Sequence, residues 1–188
     1  NINKIVDEKK YYKNEFFKNC LSDPRKYISP KNSCILGNKN KINYAFIGDS
    51  HMGILSKELN KVLKIENLGG RQFTYNGCLP SNELKVYNQP RYKCQNYYNE
   101  LINFLSEKTN IKTVIFYYRW DLYYNGKRFN NLEGGIEKGK DHIVIKSNQH
   151  QKSVNNINDL NLSIYNFFKE IKKLDKEIVI VKSTPEMG

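Results

Sequence analysis

Residues 43–53, Asn-Tyr-Ala-Phe-Ile-Gly-Asp-Ser-His-Met-Gly, constrain the fold of this chain more than any other stretch. A short, apolar, β-prone run ends at Gly48, and residues 54–63 then carry apolar side chains at helical spacing. This order predicts a buried strand that turns directly into a helix, with Ser50 in the turn. In an α/β sheet such a turn lies at the carboxyl edge of the strands, where ligands bind.

Two roles are open for the polar residues of this turn. The start of a helix offers free N–H groups to a developing negative charge, so Ser50 is well placed to act as a nucleophile. Alternatively, Asp49 or Ser50 only caps the helix, which is the common role of these residue types at such a position.

Strand and helix patterns alternate along the rest of the chain. Parallel strands need crossover connections, and the sheet they form needs helices on both faces. The sequence therefore predicts an α/β fold, a three-layer α/β/α sandwich with a mostly parallel sheet, as a single domain over residues 1–188. The predicted main strands are residues 44–47, 71–75, 113–118 and 177–182, a short strand is predicted at 142–145, and the predicted helices are 54–63, 96–108 and 157–174.

The segments between these elements are predicted to be less regular. Residues 1–40 are interpreted as a structural lead-in, with a short amphipathic helix at 7–19 and a loop at 21–40. Residues 81–93 form a polar excursion that is placed to wall a substrate site. Residues 122–139 carry the turn signals Asn125-Gly126 and Gly134-Gly135, and so long a connection is often functional.

Gly48-Asp49-Ser50-His51 after an apolar strand resembles the first motif of the SGNH (GDSL-like) hydrolases. In this GDSH form it is most similar to the SGNH domains fused to membrane acyltransferase-3 proteins that O-acetylate bacterial glycans. The resemblance implies an α/β/α sandwich in which Ser50 is the nucleophile and its N–H contributes to an oxyanion hole. Asp49 and His51, which flank the serine, are predicted to line the substrate site.

Residues 76–80, Asn-Gly-Cys-Leu-Pro, resemble the second motif of the acyltransferase-linked subgroup. In the family a glycine after the second strand supplies an N–H to the oxyanion hole, and the resemblance assigns this role to Gly77. Only glycine lets the backbone approach an oxyanion without a side chain in the way. The alternative is an ordinary turn glycine in an Asn-Gly pair.

At the end of the third strand the chain departs from the general SGNH pattern. A Gly-x-Asn-Asp motif with an oxyanion-donating asparagine is typical there, whereas this chain has Tyr118-Arg119-Trp120-Asp121. The Arg119-Trp120 pair resembles the acyltransferase-linked subgroup, and it predicts substrate binding by a guanidinium donor and an indole that stacks on a sugar ring. Equally, Arg119 is open to a structural pairing with Asp121 or Glu133.

The four cysteines fall into two local pairs, Cys20 with Cys34 and Cys78 with Cys94. No Cys-x-x-Cys spacing is present, which argues against a zinc ribbon or a thioredoxin-type site. Two local disulfides are the natural inference, and they point to an oxidising compartment. Four free cysteines in a cytosolic protein remain the alternative.

The formal net charge is +12, but the lysines are spread along the whole chain among Asn, Asp and Glu. Nucleic-acid binding needs clustered basic residues or a recognisable motif, and neither is present, so no nucleic-acid partner is expected. Attraction to anionic glycans or lipid head groups is a second use of such charge.

The resemblance also implies a base that this sequence lacks. In the family an Asp-x-x-His motif after the fourth strand activates the serine, and no such motif occurs in residues 1–188. His51, His142 and His150 are each interpreted as ordinary histidines. The sequence therefore predicts either a domain truncated at its C-terminus or a module that has lost triad chemistry and binds glycans.

Taken together, these features predict a serine-dependent O-acyltransferase that moves an acyl group, most often acetyl, onto a cell-surface or peptidoglycan sugar. An esterase of the same fold and an inactive glycan-binding module are the alternatives. The expected partners are a carbohydrate acceptor, an acyl donor and a membrane acyltransferase domain, at the periplasmic or outer face of a bacterial inner membrane. The double displacement needs no cofactor or metal.

Overall fold

A six-stranded sheet organises the protein. The structure, a computed structural model, describes residues 15–130, 132, 136–139, 141–149 and 157–183. The strands lie in the order β1-β4-β3-β6-β8 with parallel pairing throughout, and β2 pairs antiparallel with β4. Their bounds are β1 Leu21–Ser22, β2 Cys34–Gly37, β3 Ile42–Gly48, β4 Gly69–Tyr75, β6 Thr113–Tyr117 and β8 Glu177–Val181.

Helices cover both faces of this sheet, which confirms the predicted three-layer α/β/α fold. One face packs a large core against α3 and α5, and the other packs a smaller cluster, which includes Phe46, Met52 and Leu63, under α2. Both faces of a parallel sheet are buried, so the central strand β3 is apolar at consecutive positions. The helices are α1 Glu15–Cys20, α2 Ser50–Ile65, α3 Cys94–Glu107, α4 Trp120–Asn125 and α5 Ile157–Lys173.

Three predicted irregular segments contain regular structure. Residues 21–40, expected to be a loop, hold β1, a 3-10 helix at Pro30–Asn32 and β2. Residues 81–93 hold β5, Leu84–Val86, which pairs antiparallel with β7, Val144–Lys146, in a second small sheet. Residues 122–139 begin inside helix α4. These elements are two to six residues long, too short for a periodic pattern, and pairing with distant segments defines them.

The carboxyl ends of the parallel strands lie side by side. Gly48 at the end of β3 pairs with Thr74 of β4 on one side and with Tyr117 of β6 on the other. Tyr117 in turn pairs with Val181 of β8. The segments that follow β3, β4, β6 and β8 therefore emerge at one edge of the sheet, the edge at which Ser50 was expected.

Both predicted disulfides, Cys20–Cys34 and Cys78–Cys94, are present. Each closes a loop of about 15 residues, for which chain entropy predicts a stabilisation of about 3 kcal/mol. The first joins α1 to β2, so the lead-in is tied to the sheet, and the second joins the segment after β4 to the start of α3. Within the described ranges, no helix has the length and apolar character needed to cross a membrane.

Candidate active site

The turn that carries Ser50 is tight because its first residue has no side chain. A Cβ on Gly48 would lie 2.2 Å from the carbonyl oxygen of Tyr117 and 2.4 Å from Cβ of Met52. The strand therefore passes close to β6 and enters helix α2 at once, with Ser50 as the first helical residue. Ser50 is partly exposed, and neither its N–H nor its hydroxyl has a hydrogen-bond partner among the described residues.

Asp49 is the N-cap of helix α2 and is buried, with 2% of its surface exposed. Its Oδ1 accepts a hydrogen bond from the N–H of His51 at 2.8 Å. Its Oδ2 accepts from the N–H of Arg119 at 3.1 Å and from the hydroxyl of Tyr123 at 2.9 Å. The capping role weighed from the sequence thus belongs to Asp49, whose carboxylate faces protein donors on three sides, and Ser50 is left without that task.

His51 lies beside the serine on the first turn of α2. Its ring meets the ring of Tyr117 edge to face at 6.1 Å, and its Nδ1 lies 3.5 Å from Oδ1 of Asp49, beyond a good hydrogen bond. About a third of the side chain is exposed. His51 is therefore partly exposed next to Ser50, and its predicted pocket-lining role stays a prediction.

The loop after β4 holds Gly77 in a conformation that only glycine adopts readily, with φ +76°. A Cβ there would lie 2.8 Å from Cε1 of Tyr92 and 3.0 Å from Cε1 of His142. The carbonyl of Gly77 accepts from Nε2 of His142 at 2.8 Å, and the carbonyl of Cys78 accepts from the hydroxyl of Tyr98 at 3.1 Å. Two carbonyls of this loop are thus anchored in the protein, whereas the N–H of Gly77 has no described partner.

His142 is buried between aromatic rings and acts on the loop, not on the serine. Its ring meets Tyr92 at 5.9 Å and Tyr123 at 5.4 Å. Burial lowers its pKa from the usual 6.5, so the ring is neutral at pH 7. Because the carbonyl of Gly77 can only accept, Nε2 carries the proton, and the ring has a fixed positioning role.

Arg119 bonds to Asp49 through its backbone N–H and to Glu137 through its guanidinium. Its two terminal nitrogens donate to the two carboxylate oxygens of Glu137 at 2.9 and 2.7 Å, and Arg128 donates to the same carboxylate at 2.7 Å. These bonds, with that from Arg119 first, lower the pKa of Glu137 to about 2. The sequence had offered Asp121 or Glu133 as partners; Glu133 lies outside the described residues, and the carboxylate found on Arg119 among the described residues is that of Glu137.

Trp120 opens helix α4 and is held at both of its N–H groups. The backbone N–H donates to Oγ of Ser183 at 3.0 Å, and the indole N–H donates to the carbonyl of Val181 at 3.0 Å. The ring packs on Tyr118 at 4.9 Å and borders an open groove of about 510 Å³ between α4, α5 and β8. The hydrogen bond and the ring contact therefore fix the orientation of the indole.

A comparison with known families identifies the chain. The family described as "SGNH domain (fused to AT3 domains)" matches residues 19–188. The chain belongs to this family. Its GDSH turn, its Gly77 loop and its Arg119-Trp120 pair thus occupy the three strand ends that the sequence had singled out in an SGNH domain.

A solved structure supports the fold of this SGNH domain. The periplasmic domain of a lipopolysaccharide acetyltransferase from Salmonella ser. Paratyphi A superposes with a TM-score of 0.56 at 16% sequence identity. The match covers 94% of this chain and 58% of that chain, so the SGNH domain described here spans little more than half of its neighbour's length. Identity at this level shows a shared fold alone. No curated protein gives a significant match.

A layer of buried tyrosines underlies the carboxyl edge of the sheet in the SGNH domain, and no sequence pattern predicted it. The hydroxyls of Tyr98 and Tyr118 lie 2.8 Å apart, and Tyr98 donates onward to Cys78, while Tyr123 donates to Asp49. Burial raises the pKa of all three phenols well above the usual 10, so each stays protonated and can donate. No local pattern marks these tyrosines, since their partners lie 20 to 74 residues away.

Proposed function

We propose that this SGNH domain is a serine-dependent O-acyltransferase that moves an acetyl group onto a hydroxyl of a bacterial cell-surface or peptidoglycan sugar. One observation carries the proposal: Ser50 begins helix α2 with its hydroxyl and its N–H both unengaged by described residues, at the sheet edge that also bears Gly77. Asp49 caps the helix, so Ser50 is not needed for that structural role.

The reaction proceeds by two displacements. Oγ of Ser50 attacks the carbonyl carbon of the donor ester, its proton passes to a base, and the donor's leaving group departs with that proton. The sugar hydroxyl then attacks the acetyl-serine and gives its proton to the same base, which passes it to the departing Oγ of Ser50 as the new ester forms. Neither step changes an oxidation state, and both pass through a tetrahedral oxyanion.

The N–H groups of Ser50 and Gly77 are the proposed oxyanion donors. Such donors act best when they are fixed before the reaction, because no reorganisation is then needed as charge develops. Hydrogen bonds from His142 and Tyr98 hold the adjacent carbonyls of the Gly77 loop, and the cap on Asp49 holds the serine turn. Each proposed donor is therefore held in place by a buried, hydrogen-bonded side chain, His142 for Gly77 and Asp49 for Ser50.

The base is assigned to an Asp-x-x-His segment, as the family resemblance implies. His142 is bonded to the Gly77 carbonyl and His51 contacts Tyr117 and Asp49, so neither described histidine is committed to the Ser50 hydroxyl. His150 lies outside the described residues. On this proposal the base is a group other than His51 and His142.

A membrane acyltransferase is the proposed source of the acetyl group. The family description names fusion to AT3 domains, and the two disulfides fit an oxidising compartment such as the periplasm. The SGNH domain would then receive the acetyl group at the outer face of the inner membrane and pass it to the glycan.

The test is detection of acetyl-Ser50 in the full polypeptide that its gene encodes. Incubation with p-nitrophenyl acetate, followed by rapid acid quench and mass spectrometry, is expected to add one acetyl group at Ser50. Ser50→Ala should lower turnover at least about a thousandfold, whereas Ser106→Ala, an exposed serine on α3, should leave it unchanged. Turnover that survives Ser50→Ala would exclude the nucleophile assignment.

Acceptor sugars separate transfer from hydrolysis. If the domain is a transferase, added glycan should accelerate loss of acetyl-Ser50 and become acetylated itself. Loss at the same rate to water alone would make the domain an esterase. Glycan binding without any acetyl-serine would instead support the inactive binding module predicted as the alternative.

A further inference from the structure

A second cavity, of about 410 Å³, lies beside the Gly77 loop on the side away from β3. It is distinct from the groove at Trp120. Three loops wall it: the turn after β1, the start of the Gly77 loop at Asn76, and the turn after β5. Its lining mixes polar and apolar surface: charged and amide side chains stand beside Tyr92 and two prolines.

The first wall exists because the lead-in adds a parallel strand to the sheet. β1 pairs with the end of β4, and the N–H of Asn76 donates to the carbonyl of Ser22 at 2.8 Å. The carboxyl end of β1 therefore reaches the same edge as the serine. The turn that follows is closed by Asp23, whose Oδ1 accepts from the N–H groups of Arg25 at 2.6 Å and Lys26 at 2.9 Å.

The turn after β5, which leads to α3, forms the wall on the other side of Asn76. Asn88 has φ +50°, and the N–H of Tyr92 donates to the carbonyl of Gln89 at 3.1 Å, so the chain folds back on itself. Two residues later Cys94 is bonded to Cys78. One disulfide thus ties this wall to the Gly77 loop, and the other, at Cys20, fixes the residue just before β1.

The chemistry of the cavity favours an anionic group. Arg25 and Arg91 line it, and no described carboxylate pairs with either guanidinium. Asp23 is the only acidic group among the lining residues, and its Oδ1 accepts from two backbone N–H groups. Tyr92, which contacts the Gly77 backbone, adds an aromatic ring, and Asn76 and Asn88 add amides suited to sugar hydroxyls.

We propose that this cavity is an acceptor subsite that binds an acidic sugar residue of the glycan, with Arg25 and Arg91 on its anionic group. The inference rests on the proposed function, because the subsite orients a neighbouring sugar hydroxyl toward acetyl-Ser50. The anionic group is a carboxylate or a phosphate, since a guanidinium binds both in the same bidentate manner.

Binding is tested in the Ser50→Ala protein, so that no turnover interferes. The probes are oligogalacturonate, its neutral methyl ester and glucose 1-phosphate, measured by calorimetry at fixed ionic strength. The Arg25→Ala/Arg91→Ala pair should weaken binding of an acidic probe at least about tenfold. A matched control, Lys57→Ala/Lys64→Ala on exposed positions of α2, removes the same charge and should change binding less than about twofold.

Each outcome decides a separate point. Preference for oligogalacturonate identifies a carboxylate, and preference for glucose 1-phosphate identifies a phosphate. Equal binding of the methyl ester, equal weakening by both variant pairs, or no binding of either acidic probe overturns the subsite. Acetyl-Ser50 formation is measured separately in the parent protein, which keeps Ser50, Arg25 and Arg91. Normal acetylation without binding of an acidic probe overturns the subsite alone, and normal binding without acetylation overturns the nucleophile assignment alone.

Discussion

Two strand-to-helix turns lie side by side at the carboxyl edge of the sheet, and they use their N–H groups differently. After β3, the side chain of Asp49 caps its own helix, and the N–H of Ser50 has no described partner. After β6, no residue of the turn caps helix α4 with its own side chain. Its N–H groups donate instead to side chains of neighbouring segments: that of Arg119 donates to Asp49, and that of Trp120 donates to Ser183.

The difference shows why equivalent topology does not produce equivalent sites. Both turns present helix starts to the same edge, and either would suit an anion by position alone. At the second turn the N–H groups of Arg119 and Trp120 already have acceptors, so this turn is suited to hold the first turn in position. At the first turn the N–H of Ser50 stays available because Asp49 caps the helix. The same carboxylate also accepts hydrogen bonds from Arg119 and Tyr123.

The largest effect should come from removing the Asp49 carboxylate, which joins the two turns. Asp49→Ala removes the carboxylate that accepts from three donors, one of them the buried hydroxyl of Tyr123, and should destabilise the fold by about 3 kcal/mol while abolishing acetyl-Ser50 formation. Denaturant unfolding measures the first and mass spectrometry the second. Asp121→Ala, the exposed acidic residue of the second turn, is the control and should cost less than about 0.5 kcal/mol. Equal costs at Asp49 and Asp121 would contradict the contrast between the turns.

Gly77→Ala should have the second-largest effect on stability and turnover. The new Cβ meets Tyr92 and His142 at 3.0 Å or less, and the left-handed backbone adds strain of about 1–3 kcal/mol. Displacement of one oxyanion donor should lower turnover about a hundredfold. Gly126→Ala, a left-handed residue at the end of α4, offers the matched comparison, since it should lose stability but keep its turnover relative to folded protein. A similar loss of turnover in both variants would show that strain, not the donor, is responsible.

Glu137→Gln tests the second turn by its pH dependence. The folded-state pKa of about 2 lies below the ordinary 4.5, so the carboxylate stabilises the fold fully above about pH 4.5 and loses this effect as the pH falls towards 2. The variant should be less stable than the parent by about 1 kcal/mol at pH 7, with the gap closing on acidification. Thermal unfolding from pH 7 to pH 3 measures this gap. A gap that does not narrow would mean that the ion pair with Arg119 contributes nothing.

The smallest effect is expected at Ser183. Ser183→Ala removes the acceptor for the backbone N–H of Trp120, which should cost about 0.5–1 kcal/mol. Acetyl-Ser50 formation should not change, because the donors of the first turn are untouched. Unfolding measurements and the acetylation assay on one preparation check both statements, and a marked fall in acetylation would show that the two turns are coupled more strongly than Asp49 alone explains.

Sequence patterns predicted the long elements and the disulfides because those signals are local. Residues 43–53 placed Ser50 at a strand-to-helix turn, and the structure has Ser50 as the first residue of α2. The paired spacing of the cysteines was confirmed in both bonds. Strands β1, β2 and β5, of two to four residues, were missed because their pairing partners, not their composition, define them, whereas the short strand predicted at 142–145 overlaps β7.

Side-chain partnerships across long sequence separations could not be predicted in the same way. His142 looked ordinary in its own segment, and only the fold brings it to the carbonyl of Gly77, 65 residues away. Glu137 likewise meets Arg119 across 18 residues of mostly irregular chain. The predicted substrate contacts of Asp49, His51, Arg119 and Trp120 stay predictions, although the hydrogen bonds of Asp49 favour a positioning role.

Strand β8 has a practical consequence for handling the protein. It ends the sheet among the described residues, and Val179, Ile180 and Val181 are 39 to 51% exposed along it. Such an edge can add a strand from a second copy, and the net charge of +12 opposes this encounter. Because screening shortens the Debye length from about 10 Å at 0.1 M salt to about 3 Å at 1 M, concentrated salt should promote self-association where dilute buffer keeps the molecules dispersed.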